Sequence, residues 1–141
     1  MREGLVIVTA TMIVVGCSNP EMEKVNQLKA QCIKVHDEVM PRLGEVVSLS
    51  SEVAKERKAL MDDTTQSAAD YRSELASHVL VLDSAHEAMM LWMEEYEPEF
   101  EAKYGVDSAV RYYSNELERI GAVSELMLKS IEDGKKVLDS H

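Results

Sequence analysis

Residues 71–96 read Tyr71-Arg-Ser-Glu-Leu75-Ala-Ser-His78-Val-Leu-Val-Leu82-Asp-Ser-Ala85-His86-Glu-Ala-Met89-Met-Leu-Trp92-Met93-Glu-Glu-Tyr96. Steps of three and four pick out Tyr71, Leu75, His78, Leu82, Ala85, Met89, Trp92 and Tyr96, a seam that only a helix brings onto one face. Glu97-Pro98 ends it, because proline removes a donor and pushes its predecessor out of the helical region. The fold follows from finding the same spacing on both sides of this stretch.

Upstream, Val25, Leu28, Cys32, Val35, Val39, Val46, Leu49, Val53 and Leu60 make a heptad seam, with Arg42 and Glu56 in its two broken places. Beside it runs a second stripe of Ile33, His36, Met40, Leu43, Val47 and Ala54, which predicts a helix touching two neighbours rather than one. Pro41 and Gly44 predict a kink in one long helix. Downstream, residues 99–104 leave room for one extra turn, with Gly105 as a left-handed C-cap. Asp107 or Ser108 then caps a third helix with the seam Val110, Tyr113, Leu117, Ile120, Ser124, Met127, Ile131 and Leu138.

No segment has strand periodicity, so the expectation is an all-α fold: an up-down-up three-helix bundle across residues 24–139. Its long helices span about 24–62, 66–96 and 107–138. Asp63 or Thr64 caps the second helix after a tight turn near Thr64. Equal rise per residue then sets residue i of the first helix opposite about residue 128 − i of the second. That register pairs Val53 with Leu75, Val46 with Leu82, Val39 with Met89, Cys32 with Tyr96 and His36 with Trp92, so independently read seams meet. Counting on through the 97–106 connection brings Tyr112 and Tyr113 level with Met89 and Met90.

The N-terminus has a different character. Met1-Arg2-Glu3-Gly4 leads into an apolar run from Leu5 to Val15, followed by Gly16-Cys17 and the polar Ser18-Asn19-Pro20. A run this short does not cross a bilayer as a helix, which needs about 20 residues, but it fits the core of an export signal. Val14-Val15-Gly16-Cys17 resembles the bacterial lipobox. The resemblance implies a signal peptide at 1–16 that is cleaved off and a lipidated Cys17, followed by a tether at 17–23. Several acyl chains on one cysteine hold a protein to a membrane stably. The expected location is the bacterial cell envelope, as a membrane-anchored lipoprotein facing the periplasm or lying on the outer membrane. With Cys17 acylated, only Cys32 remains, which leaves no internal disulfide.

Charge narrows the partners. With 15 basic and 26 acidic side chains the net charge is −11, and no basic run is longer than a pair such as Lys135-Lys136. Nucleic acid is therefore not an expected partner, since phosphate binding needs a basic patch.

Two segments concentrate His, Met and Trp: His36-Asp-Glu-Val-Met40-Pro41 and Asp83 to Met93. Residues 36–46, with Ala-Met-Met-Leu-Trp-Met at 88–93 and the acidic, aromatic, proline-containing stretch after it, resemble small helical lipoproteins of Bacteroidota. Some of these are labelled viral A-type inclusion protein. That resemblance implies a lipid-anchored helical domain and no particular chemistry. Methionine and imidazole suit Cu(I), so His36, Met40, Met89 and Met93, with His86 as a further donor, form a candidate metal set. The plainer account is core packing, in which Met fills irregular gaps and Trp92 sits half-buried with its N–H on a partner.

Asp83-x-x-His86 has the spacing of a di-iron carboxylate–histidine pair but no second copy. Cys32 lies in a seam and no Ser/His/Asp arrangement exists, so no catalysis and no cofactor are expected. Tyr96 and Phe100, among the glutamates of residues 94–101, form a candidate interaction surface. The expected function is that of an anchored structural or protein-interaction module, the alternative being a Cu(I)-type metal-binding lipoprotein.

Overall fold

The structure, a computed structural model, describes residues 19–140; the lipobox, Cys17 and the signal peptide lie outside them. The described residues are helical, with no strand among them. The elements are α1 (Pro20–Val39), a 3₁₀ turn (Met40–Arg42), α2 (Leu43–Ala59), α3 (Gln66–Glu95), α4 (Phe100–Tyr104) and α5 (Val106–Asp139).

Local chemistry explains each boundary. Asn19 caps α1 by accepting from the Glu21 N–H at 3.0 Å, with Pro20 in the first turn where its missing donor costs nothing. Helix therefore begins inside the stretch expected as tether. The Pro41 kink takes the form of the 3₁₀ turn, which joins α1 to α2. Thr65, one residue beyond the expected caps, accepts from the Ala68 N–H at 3.3 Å and is itself held by Asp63. Arg72 closes the turn by donating to the carbonyls of Leu60 and Asp63, each at 2.6 Å. Gly105 has φ +83° and ψ 162°, an extended left-handed conformation open to glycine, and it serves as C-cap of α4 and N-cap of α5 at once. Asp107 and Ser108 fall inside the first turn of α5 instead of capping it.

α1 packs chiefly against α5, α2 chiefly against α3, and α3 and α5 lie against each other. Most of the core is one cluster reaching from Cys32 to Val137, and a smaller one gathers Val25, Ala109 and Tyr113. The predicted seam of the first helix is buried at Val25, Cys32, Val39, Val46 and Val53, and that of α3 at Tyr71, Leu75, Leu82, Ala85, Met89 and Trp92.

The seam of α5 differs from expectation. Its buried face includes Glu116, Ser130, Gly134 and Val137, while Val110, Leu117, Ser124 and Leu138 flank it. Polar and glycine positions on a buried face disappear from an apolar pattern. Each has its own reason to be inside: Glu116 pairs with Arg119 at 2.8 Å, and Ser130 donates to the Met127 carbonyl at 2.9 Å. A Cβ at Gly134 would stand 2.7 Å from Leu49 Cδ2 and 3.3 Å from Leu82 Cδ1. Glycine there lets α5 settle against α2 and α3 together.

Across α2 and α3, Ser50 Oγ donates to Asp83 at 2.6 Å, whereas equal rise would set Ser50 opposite His78. Side chains lean toward the N-terminus of their own helix, so tips that meet across antiparallel helices belong to Cα atoms offset along the axis.

Candidate functional site

Six of the seven Phe, Trp and Tyr residues gather at one end of the molecule. Starting from α1, the His36 ring stacks on Trp92 at 5.6 Å, Trp92 on Tyr96 at 4.7 Å, and Tyr96 meets Tyr113 at 6.1 Å. Tyr113 stands edge-on to Tyr112 at 5.0 Å, which lies flat on Phe100 at 4.0 Å and 4°, and Phe100 touches Tyr104 at 4.4 Å. This unbroken ladder runs through α1, α3, the connection, α4 and α5. Each such contact contributes about 0.5–1.5 kcal/mol beyond its buried area.

The tyrosine hydroxyls tie the connection down. Tyr112 Oη accepts from the Glu97 N–H at 2.7 Å, and Tyr113 Oη accepts from the Phe100 N–H at 3.1 Å while donating to Glu101 at 2.7 Å. Lys29 of α1 meets the same Glu101 carboxylate at 2.6 Å and sits 5.5 Å from the Tyr113 ring centroid. Burial pushes the Glu101 carboxyl up, but hydrogen bonds from Lys29 and Tyr113 outweigh it and leave the group below its ordinary value. Burial raises the Tyr113 hydroxyl, and the neighbouring carboxylate adds to the effect. These bonds set Tyr113 beside Tyr96 and Glu97, not level with Met89. Residues 97–105 fold back as a cap instead of adding length, and that shifts α5 relative to the simple count.

The predicted His36–Trp92 juxtaposition is present. Met89 is fully buried, with Met40 and Met93 packed against the same core cluster. His36 Nδ1 lies 2.9 Å from Asp37. His86 sits apart, lining a groove between α2 and α3, and Asp83 is engaged by Ser50. Among the described residues no three His, Cys, Asp or Glu side chains gather in a way that suits a metal ion. Cys32 is buried, its Sγ 3.6 Å from the Tyr113 carbonyl, and desolvation followed by the Glu116 charge pushes the thiol up to about 11. A thiol held neutral at that level is a poor nucleophile.

The expected partner for the Trp92 N–H does not appear: Trp92 Nε1 and Glu116 Oε2 are buried without a hydrogen-bond partner among the described residues. Nothing in the sequence marks Glu116 as part of this end, because a lone glutamate in an acidic chain carries no signal. Phe100 is half-buried against Tyr112 and not fully exposed. Tyr96 does reach a surface. With Ala30, Ile33, Asp37 and Pro98 it lines an apolar groove of about 660 Å³, at whose rim Ile33 is 42% exposed.

The chain matches no protein family, no curated protein and no solved structure. Among the described residues, no helix is long and apolar enough to cross a membrane.

Proposed function

We propose that this chain is a lipid-anchored protein of the bacterial envelope, an up-down-up three-helix bundle that serves a structural or protein-interaction role without catalysis. The observation that carries the interaction reading is the groove of about 660 Å³ between α1 and the Tyr96–Pro98 connection. Its exposed wall area is largely apolar, and its shape is held by the ladder and by the contacts of Lys29, one of its lining residues, with Glu101 and through it Tyr113. An apolar concavity on a pre-formed support binds with little ordering cost, which is how interaction surfaces hold a partner. Support for the anchor is the Val14-Val15-Gly16-Cys17 pattern behind an apolar run. For the bundle, support comes from α3 lying against α2 and α5 with the buried seams described above.

The test is affinity capture from detergent-solubilised envelope with the lipidated chain, compared with Ile33→Glu and with Leu128→Glu, a substitution at a 45% exposed position of α5 outside the groove. The proposal expects a protein retained by the wild type and by Leu128→Glu but lost from Ile33→Glu. Equal retention by all three, or none by any, contradicts it.

A further inference from the structure

The first helix carries more apolar surface than its neighbours cover. Ile33, Met40, Val47, Ala54 and Met61 recur every seven residues, one position beyond the seam of buried Cys32, Val39, Val46 and Val53 and partly buried Leu60. Bundle helices ordinarily give that position to polar residues. Ile33 of this stripe belongs to the Tyr96 groove, and farther along Val47 is 51% and Met61 62% exposed. The opposite wall belongs to α3, where Val79 and His86 are half-buried and Asp83 and Glu87 are exposed.

Two grooves share Ala54, one between α2 and α3 and the other along the C-terminal end of α2. One, of about 470 Å³, is lined by Val47, Ser51, Ala54, Val79, His86 and Glu87, and the other, of about 300 Å³, by Ala54, Arg57, Lys58 and Met61. The small side chains of Ser51 and Ala54 leave room for another backbone to come close.

Charge says what fits. The wider groove carries Asp83 and Glu87, and the narrower one Arg57 and Lys58. Glu87, Arg57 and Lys58 have no ion-pair partner among the described residues, although many charges elsewhere are matched, as in Arg42–Glu45–Lys135 and Lys129–Asp133. A second copy is a poor occupant, because two chains of charge −11 repel. From this geometry we infer that the α2–α3 face seats one amphipathic helix of a partner protein. That helix has apolar residues in heptads, basic residues over Asp83 and Glu87 and acidic residues over Arg57 and Lys58, and it completes a four-helix bundle. The inference rests on the interaction reading above and adds the class of partner and a second face.

The test uses the full chain and two synthetic peptides of about four heptads, both with leucine at the apolar positions. One has lysines flanking its central heptads and glutamates flanking one end; the other has these charges reversed. Fluorescence anisotropy of labelled peptide measures binding, and circular dichroism confirms that each variant is folded. The first peptide is expected to bind more tightly than the second by on the order of ten-fold. Val47→Lys should abolish binding of the first peptide, and the double variant Glu87→Lys/Lys58→Glu, which leaves Asp83 and Arg57 in place and so one charge of each sign in either groove, should erase the preference in that variant. All three positions are exposed, so the fold should survive these changes. Equal binding of the two peptides, no binding of either, or an unchanged affinity in Val47→Lys overturns the inference. The envelope capture with Ile33→Glu probes the other groove, so either result can fail without the other.

Discussion

The two ends of this molecule are built on different principles. Around Trp92, Tyr96 and Tyr113 the core is aromatic, and its specificity comes from ring stacking together with hydroxyls bonded to backbone and carboxylate. Around Val46, Leu49, Val53, Leu75 and Leu82 it is aliphatic, closed by the fit of Gly134 under Leu49. Aliphatic packing repeats with the helix, so it extends a rod of any length. The aromatic cluster is where the chain must change direction at Pro98 and Gly105, and directional hydrogen bonds hold backbone that has no helical partner.

The comparison predicts a graded set of effects. The largest is expected from Leu82→Ala, which removes a fully buried side chain and should cost about 2–5 kcal/mol in denaturant unfolding. A smaller cost, about 1–3 kcal/mol, is expected from Tyr113→Phe, which leaves the Phe100 N–H and Glu101 without their hydroxyl. Hydrogen exchange should show that loss concentrated at residues 97–105, whereas Leu82→Ala should loosen the helices along their length. Uniform loosening in both variants would erase the distinction.

Two glycines of α5 sharpen the aliphatic side. Gly134→Ala meets Leu49 and should destabilise by about 1–3 kcal/mol, partly offset by helix propensity. Gly121→Ala has nothing within 4 Å and should stabilise by up to about 1 kcal/mol. Opposite signs in thermal melts are the expected outcome.

The smallest effect is on pH. Hydrogen bonds from Arg42 and Lys135 lower the Glu45 carboxyl from 4.5 to about 2. Because the folded value lies below the unfolded one, its contribution is present above about pH 4.5 and fades as pH falls toward 2. Glu45→Gln should flatten the stability–pH curve in that window, lying below the wild type above about pH 4.5 and converging on it toward pH 2.

Much of this was legible in the residues themselves. The seams of the first helix and of α3 were readable because their buried positions are almost all apolar, and His36 met Trp92 where equal rise placed it. In α5 the reading failed where Glu116, Ser130 and Gly134 occupy the buried face, since each is inside for a reason that depends on a neighbour in space. The ladder was only half visible. Tyr112 and Tyr113 stood out as aromatic, but the fold-back of residues 97–105, which decides what they touch, depends on hydroxyl bonds that leave no periodic trace. The groove beside Tyr96 leaves no periodic trace either, because it forms where the connection turns back beside α1, and Ile33 across from it belongs to the second apolar stripe of the first helix.

Central to the proposed function is an N-terminal lipid at Cys17 that holds the chain to a membrane. Fractionation of cells expressing the wild type and Cys17→Ser tests it most directly. The account predicts wild type in the membrane fraction with a lipid-sized mass increment on Cys17, and Cys17→Ser in the soluble fraction. Membrane retention unchanged by Cys17→Ser would contradict it.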